Sequence, residues 1–212
     1  FLESLTRTSG FESVLAMNTG AEAVETAIKA SRRWGYFTKG IPENKAEIIV
    51  ADGNFHGRTT TIVGFSSEES YKKGFGPFSD GFVTADFCWS GCSKEKSIKS
   101  FKDKINKNTC AILVEPIQGW GGGIMPPDDF FPKLKTFCKK RDILLITDEV
   151  LTGCGRTGKW MCTEHWGIQP DIAILGKGIG NGFPMSAVIT NSKFKEEISK
   201  IGPSTTFGGN PM

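Results

Sequence analysis

The most regular spacing of apolar and polar positions begins at residue 21. Ala21-Glu22-Ala23-Val24-Glu25-Thr26-Ala27-Ile28 is rich in helix formers and sets its apolar residues three and four apart, which predicts an amphipathic helix. Thr19, followed three positions on by Glu22, fits a capping box and marks the start. Val24, Ala27, Ile28, Ser31 and Trp34 then share the face to be buried. Short runs rich in Ile, Val and Leu at 47–51, 111–116, 143–147 and 171–175 read as strands covered on both faces. Between the second and third of these runs, Phe130, Leu134, Phe137 and Cys138 keep helical spacing through 129–141, and 94–107 is a further amphipathic candidate. Strand, helix and strand in that order imply a right-handed crossover to a parallel neighbour. The predicted architecture is α/β, a mostly parallel sheet with helices on both faces. Function is then expected in the loops beyond the carboxyl ends of the strands.

Composition narrows the class. The chain has 212 residues, 38% of them hydrophobic, which is enough for one sizeable core and predicts one domain or most of one. The net charge of +3 comes from 26 basic and 23 acidic residues spread along the chain, so no basic tract marks a nucleic-acid or membrane surface. The lysines of 94–107 and 133–140 read as solvated helix faces. Six cysteines without tight regular spacing predict reduced thiols in a cytosol-like compartment. No apolar run approaches the roughly 18 residues needed to span a bilayer. The chain opens on Phe1 and stops at Pro211-Met212 directly after Gly208-Gly209-Asn210, so either end could be a truncation.

Four features fall where an α/β enzyme places its site. Thr19-Gly20-Ala21 at a helix start offers free amides and the positive end of the helix dipole to a phosphate, or is simply a capped helix. Asp148-Glu149 closes a strand, and a carboxylate there could pair with a protonated ring nitrogen or cap the following turn. Lys177 follows an apolar strand among Gly176, Gly178, Gly180 and Gly182, a setting that solvation alone explains poorly. A desolvated amine there could add to a carbonyl to form an imine. Asn54-Phe55-His56-Gly57-Arg58 gathers an aromatic face, an imidazole and a guanidinium in one loop, although a lone aromatic or His is more often packing. The glycines around Lys177 do not make a P-loop, since no Ser or Thr follows the lysine, and they miss the dinucleotide spacing in every register. Cys88 and Cys92 with His56 or His165 lack the second pair that a zinc site needs, so no metal is expected.

Read together, these residues resemble the class III (subgroup II) pyridoxal-phosphate-dependent aminotransferases. The matching segments are Met17-Asn18-Thr19-Gly20-Ala21-Glu22-Ala23, Asn54-Phe55-His56-Gly57-Arg58-Thr59, Gly74-Phe75-Gly76-Pro77-Phe78, Glu115-Pro116-Ile117-Gln118-Gly119, Asp148-Glu149-Val150, Gly155-Arg156-Thr157-Gly158, Leu175-Gly176-Lys177-Gly178 and Thr206-Phe207-Gly208-Gly209-Asn210-Pro211. They run through nearly the whole chain in the family's order. Trp34-Gly35-Tyr36 and Lys39-Gly40-Ile41 favour the ornithine branch.

The resemblance implies the large domain of a fold-type I enzyme across 1–212, with an amino-terminal segment and a carboxy-terminal small domain missing. It implies that Lys177 holds pyridoxal 5'-phosphate as an imine and that Asp148 pairs with the ring nitrogen. Phe55 stacks on the ring, Gly20 and Ala21 bind the phosphate through backbone amides, and Arg58 meets a substrate carboxylate. Thr206 reaches the phosphate of a neighbouring subunit, so a homodimer is expected. The substrates implied are an amino acid and a 2-oxo acid such as 2-oxoglutarate, in a ping-pong reaction. Ornithine stands first as donor, with acetylornithine, 4-aminobutyrate and lysine behind it. An aminomutase, a decarboxylase or a non-catalytic cofactor-binding relative are the other readings. The expected compartment is the cytoplasm, or the mitochondrial matrix in a eukaryote. Two positions depart from the ornithine pattern: Trp120 stands where a Glu is usual, and Leu151 where a Gln is usual. Leu151 cannot donate a hydrogen bond.

Overall fold

The computed structural model describes residues 1–93, 96–191, 194, 196, 199–200 and 205–210. The elements follow in chain order: α1 (Leu2–Ser9), β1 (Ser13–Met17), α2 (Gly20–Phe37), β2 (Glu47–Ala51), α3 (Thr60–Gly64), α4 (Glu69–Lys72), β3 (Phe82–Ala85), α5 (Lys99–Lys104), β4 (Thr109–Val114), α6 (Phe130–Arg141) and β5 (Leu144–Asp148). A 3-10 turn (Cys162–Trp166), β6 (Ile172–Leu175), a second 3-10 turn (Lys177–Gly180) and β7 (Ser186–Thr190) complete them. The seven strands form one sheet in the order β1-β7-β6-β5-β4-β2-β3. Neighbours from β3 through β6 pair in parallel. β7 runs antiparallel to both β6 and β1.

Alternation along the strands divides the core between the two faces of the sheet. Ile48, Val50, Leu113, Ile146, Ile174 and Val188 point to the face where Val24, Ala27, Ile28 and Trp34 of α2 pack. Ile49, Ile112, Val114 and Leu145 point to the opposite face and meet Phe101 of α5 and Phe130, Phe131, Leu134 and Cys138 of α6. Leu5 of α1 covers that second face further along, over Ala173, Leu175 and Ile189. Burying each such Val, Ile, Leu or Phe side chain contributes about 1.5–3 kcal/mol. The interior of the sheet is therefore the stable platform on which the loops at its rim are held.

The start of α2 is fixed as its sequence predicts. Thr19 Oγ1 accepts from Glu22 N at 3.1 Å, and Glu22 Oε2 accepts from Thr19 N and Asn18 N, each at 2.9 Å. The five residues expected on its buried face are all buried. The four expected strands and the helix over 129–141 form to within two residues of their expected ends. β1, β3 and β7 were not anticipated. The amphipathic stretch 94–107 is helical only over α5; Lys94 and Glu95 lie outside the described residues. Phe137, expected to share α6's buried face, is half-buried under the cations of Lys102 and Arg141, and Phe131 takes the interior place.

One expectation about the cysteines is corrected. Cys88 and Cys92 are joined as a disulfide in the connection after β3, because their Cα atoms stand 6.0 Å apart, within bridging range. Cys110, Cys138, Cys154 and Cys162 are free. Burial pushes the thiols of Cys110, Cys138 and Cys162 up to about 12, so they pack as apolar groups. Among the described residues, no helix is long and apolar enough to cross a membrane.

Candidate active site

Asp148 is the last residue of β5, Glu115 directly follows β4, and Lys177 stands two residues beyond β6. The loop carrying Phe55 and His56 leaves the end of β2, and Gly20 opens α2 just after β1. All these strands run in the same direction, so all these residues come to one rim of the sheet. There they line a cavity of about 130 Å³, made by Gly20, Ala21, Phe55, His56, Glu115, Asp148 and Lys177, with Trp120, Val150 and Leu151 around them.

Asp148 is nearly buried, and both of its oxygens are held. Oδ1 accepts from Val150 N at 2.9 Å, and Oδ2 lies 2.7 Å from Nδ1 of His56. The His56 side chain is 0% exposed, and its Nε2 has no hydrogen-bond partner. Burial alone lowers the pKa of an imidazole, but the hydrogen bond and charge of Asp148, with the charge of Glu115, outweigh it and leave His56 raised. Burial has the opposite effect on a carboxyl and raises Glu115, which accepts from Phe55 N at 2.9 Å and Gly119 N at 3.3 Å. One buried carboxylate thus ties the Phe55 loop to the Trp120 loop.

Glu149 points away from the cavity into its own network, accepting from Thr152 Oγ1, Cys162 N and Thr163 N at 2.5–3.0 Å. That anchors the chain beyond Asp148 to the 3-10 turn. Lys177 is exposed and takes φ +43°, a left-handed conformation that a side chain rarely adopts and that clusters at functional sites. Val150 is the local wedge: a Cβ added to Gly20 or to Gly176 would stand 3.1–3.3 Å from its methyl groups. Gly57 has φ +132°, and a Cβ there would meet Ala21 at 3.1 Å, so the aromatic loop can approach the start of α2 only with glycine at this position.

Of the residues the sequence singles out, Lys177, Asp148, Phe55, Gly20 and Ala21 line the one cavity. Arg58 does not. Its guanidinium lies 4.2 Å from the centroid of the Tyr71 ring and 5.8 Å from that of Phe55. Thr206 does not line it either; it is exposed, in a segment held to β1's end by a hydrogen bond from Asn18 Nδ2 to Thr205 Oγ1. Pro211, which closes that motif, lies outside the described residues. His56, Glu115 and Tyr71 are the participants that residue-by-residue reading leaves unassigned. Among the described residues, no cluster of three or more His, Cys, Asp or Glu could hold a metal.

An amine, a carboxylate, an aromatic face and a helix start around one cavity form a donor set that fits a phosphorylated aromatic aldehyde. The whole chain, residues 1–212, matches the model of the family described as aminotransferase class-III. The chain belongs to the class-III aminotransferases. It is 46% identical to the ornithine aminotransferase of Brevibacillus brevis over 100% of this chain and 51% of that protein. Among solved structures, the ornithine aminotransferase of Toxoplasma gondii ME49 superposes with a TM-score of 0.91 at 35% identity, covering 99% of this chain and 48% of that one. A second Toxoplasma gondii structure, described as having partial occupancy of PLP at the active site, gives 0.90 at 35% identity over the same shares. The chain spans about half the length of the curated relatives it matches.

The two departures from the ornithine pattern both face the mouth of this class-III aminotransferase cavity. Trp120 is 62% exposed, with its ring 4.7 Å from that of Phe55 and Tyr71 edge-on to both. Leu151, 37% exposed, packs over Gly119, leaving no space there for a Cβ.

Proposed function

We propose that the protein containing this chain is a pyridoxal-phosphate-dependent aminotransferase. It moves the terminal amino group of ornithine, or a similar ω-amino compound, to a 2-oxo acid such as 2-oxoglutarate in a ping-pong reaction. The observation that carries this reading is the convergence of Lys177, Asp148 and Phe55 on one cavity beside the start of α2. When bound, the cofactor supplies an electron sink for the pair left behind as the substrate carbon loses its proton.

Each residue then has a defined task. The anionic carboxylate of Asp148 favours a proton on the ring nitrogen, and Phe55 offers a flat face to the ring. Gly20 and Ala21 present amides and the positive end of α2 to the phosphate. Lys177 would hold the cofactor through its amine, and that amine would also be the base that carries the proton. Arg58, its guanidinium over the Tyr71 ring, is the cation for a substrate carboxylate. Residues 1–212 form the cofactor-binding large domain. Thr206, exposed and outside its own chain's cavity, serves the site of a second subunit in a homodimer. The compartment is the cytoplasm.

A second reading is favoured by the exposed indole of Trp120 against Phe55, an apolar mouth suited to a donor whose α-nitrogen carries an acyl group in place of an ammonium, such as acetylornithine. The test uses the full-length protein loaded with pyridoxal phosphate. Ornithine or acetylornithine alone should convert the visible band of the bound cofactor, and 2-oxoglutarate should restore it. Lys177→Ala should show neither band nor turnover. A protein that stays unchanged with both donors, with 4-aminobutyrate and with lysine would overturn the reading.

A further inference from the structure

Arg58 is exposed, and among the described residues it has no carboxylate partner. A long cationic side chain in that state ordinarily samples many rotamers. This one lies over an aromatic ring instead, with its guanidinium carbon 4.2 Å from the centroid of Tyr71. The Tyr71 ring is itself held. It stands nearly perpendicular to Phe55, at 6.0 Å and 76°, and to Trp120, at 6.3 Å and 89°. Its helix, α4, is capped by Glu68, which accepts from Ser70 N at 3.2 Å. The connection leading into α4 is tied to the loop after β2, where Gly53 N donates to Ser67 Oγ at 2.8 Å.

We infer that Tyr71 is a positioning residue that presets Arg58 for the carboxylate of a substrate, a role that rests on the proposed reading of Arg58 as that carboxylate's cation. The physical reason lies in how a ring and a carboxylate each hold a guanidinium. An acidic partner within the protein would accept from the N–H fork and compete with any incoming acid. A ring attracts the charge through its π face and leaves the fork open to a bidentate carboxylate. Tyr71 thus orders Arg58 before the substrate arrives without occupying its donors, which lowers the entropy lost on binding. Phe55 joins the two parts, since it lines the cavity and its ring centroid lies 5.8 Å from the same guanidinium. Arg58 is therefore fixed beside the cavity that holds Lys177, although it does not line it.

The test uses the full-length protein loaded with pyridoxal phosphate, and glutarate as the probe. Glutarate is a dicarboxylate with neither an amine nor an oxo group, so it binds without reacting. Its affinity is measured by calorimetry for wild type, Tyr71→Phe, Tyr71→Leu and Arg58→Gln. Tyr71→Phe keeps the ring face and should stay within about twofold of wild type. Tyr71→Leu removes the ring and should weaken glutarate at least about fivefold, the scale of one cation–π contact. On an Arg58→Gln background the same change should add little, since its effect passes through the arginine. In the half-reaction with the donor that converts the band, Tyr71→Leu should raise the half-saturating concentration by a similar factor. The limiting rate should stay within about twofold, because Tyr71 does not line the cavity where the reacting groups meet. Should Tyr71→Leu not fold, Tyr71→Met replaces it with the same expectations.

Equal glutarate affinity in Tyr71→Leu and wild type, equal loss in the phenylalanine and leucine variants, full additivity with Arg58→Gln, no loss in Arg58→Gln itself, or a fall in the limiting rate alone would each overturn the assignment. Failure of the functional reading looks different. Wild-type protein would then form no band with pyridoxal phosphate, while the glutarate comparison, run without cofactor, would still decide the role of Tyr71.

Discussion

At the scale of single residues, burial raises Glu115 in the cavity and Glu149 behind it, while Asp148, with the charge of Glu115, outweighs burial and leaves His56 raised as well. A group that holds its proton more tightly folded than unfolded stabilises the fold below its ordinary pKa, and that contribution disappears as pH rises through the elevated value. For His56 the loss begins near the ordinary imidazole pKa of about 6.5, and for the two glutamates near about 4.3. Cofactor-free, full-length protein should therefore lose stability as the pH is raised from about 6.5, and His56→Asn should flatten that limb. Urea midpoints collected across neutral pH decide the matter; an unchanged slope in the variant would assign the dependence elsewhere. This pairing could not be read along the chain. His56 and Asp148 are 92 positions apart, and an isolated histidine in a loop carries no signal of what it will face. Lys177 and Asp148 stood out because each follows or ends an apolar strand, and Phe55 because its loop gathers an aromatic, an imidazole and a guanidinium; the fold brings the three to one cavity.

At the scale of elements, legibility follows burial. β4, β5 and β6 are buried along their whole length and β2 nearly so, and their unbroken apolar runs announce them. β1 and β3 are short edge strands, mostly half-buried; β1 holds four apolar residues in five but only one that is β-branched, so its run reads as readily as helix. β7 is buried throughout, but Ser186, Ala187 and Thr190 dilute its apolar run and nothing in it encodes the antiparallel direction. The long helices follow from capping and periodicity. α6 rests on Phe130, which is 0% exposed and lies edge-on to Phe87, Phe101 and Phe131 at 5.0–5.7 Å. Phe130→Ala should therefore cost about 3–5 kcal/mol in urea unfolding, while the cofactor band keeps its position. A loss under about 1 kcal/mol would mean the aromatic cluster repacks around the gap. At the other end of the energy scale, Thr19→Ala removes only the cap of α2 and should cost about 1 kcal/mol.

At the scale of the whole molecule, the arrangement of the sheet decides what meets at the rim. Six strands aim their carboxyl ends at one edge, and β7, coming back, starts there, so that Ser186 Oγ donates to Thr19 O at 2.7 Å. Segments from opposite ends of the sequence thus become neighbours around a single side chain. Val150 lies between the first residue of the long helix and the glycine before Lys177. Any atom added at that spot drives apart two walls that belong to different regions of the polypeptide. In a saturation library of the full-length protein, position 150 should accept only volumes up to that of valine. The adjacent position 151, which looks out of the mouth, should tolerate a wide range, so consecutive codons would show opposite mutational spectra.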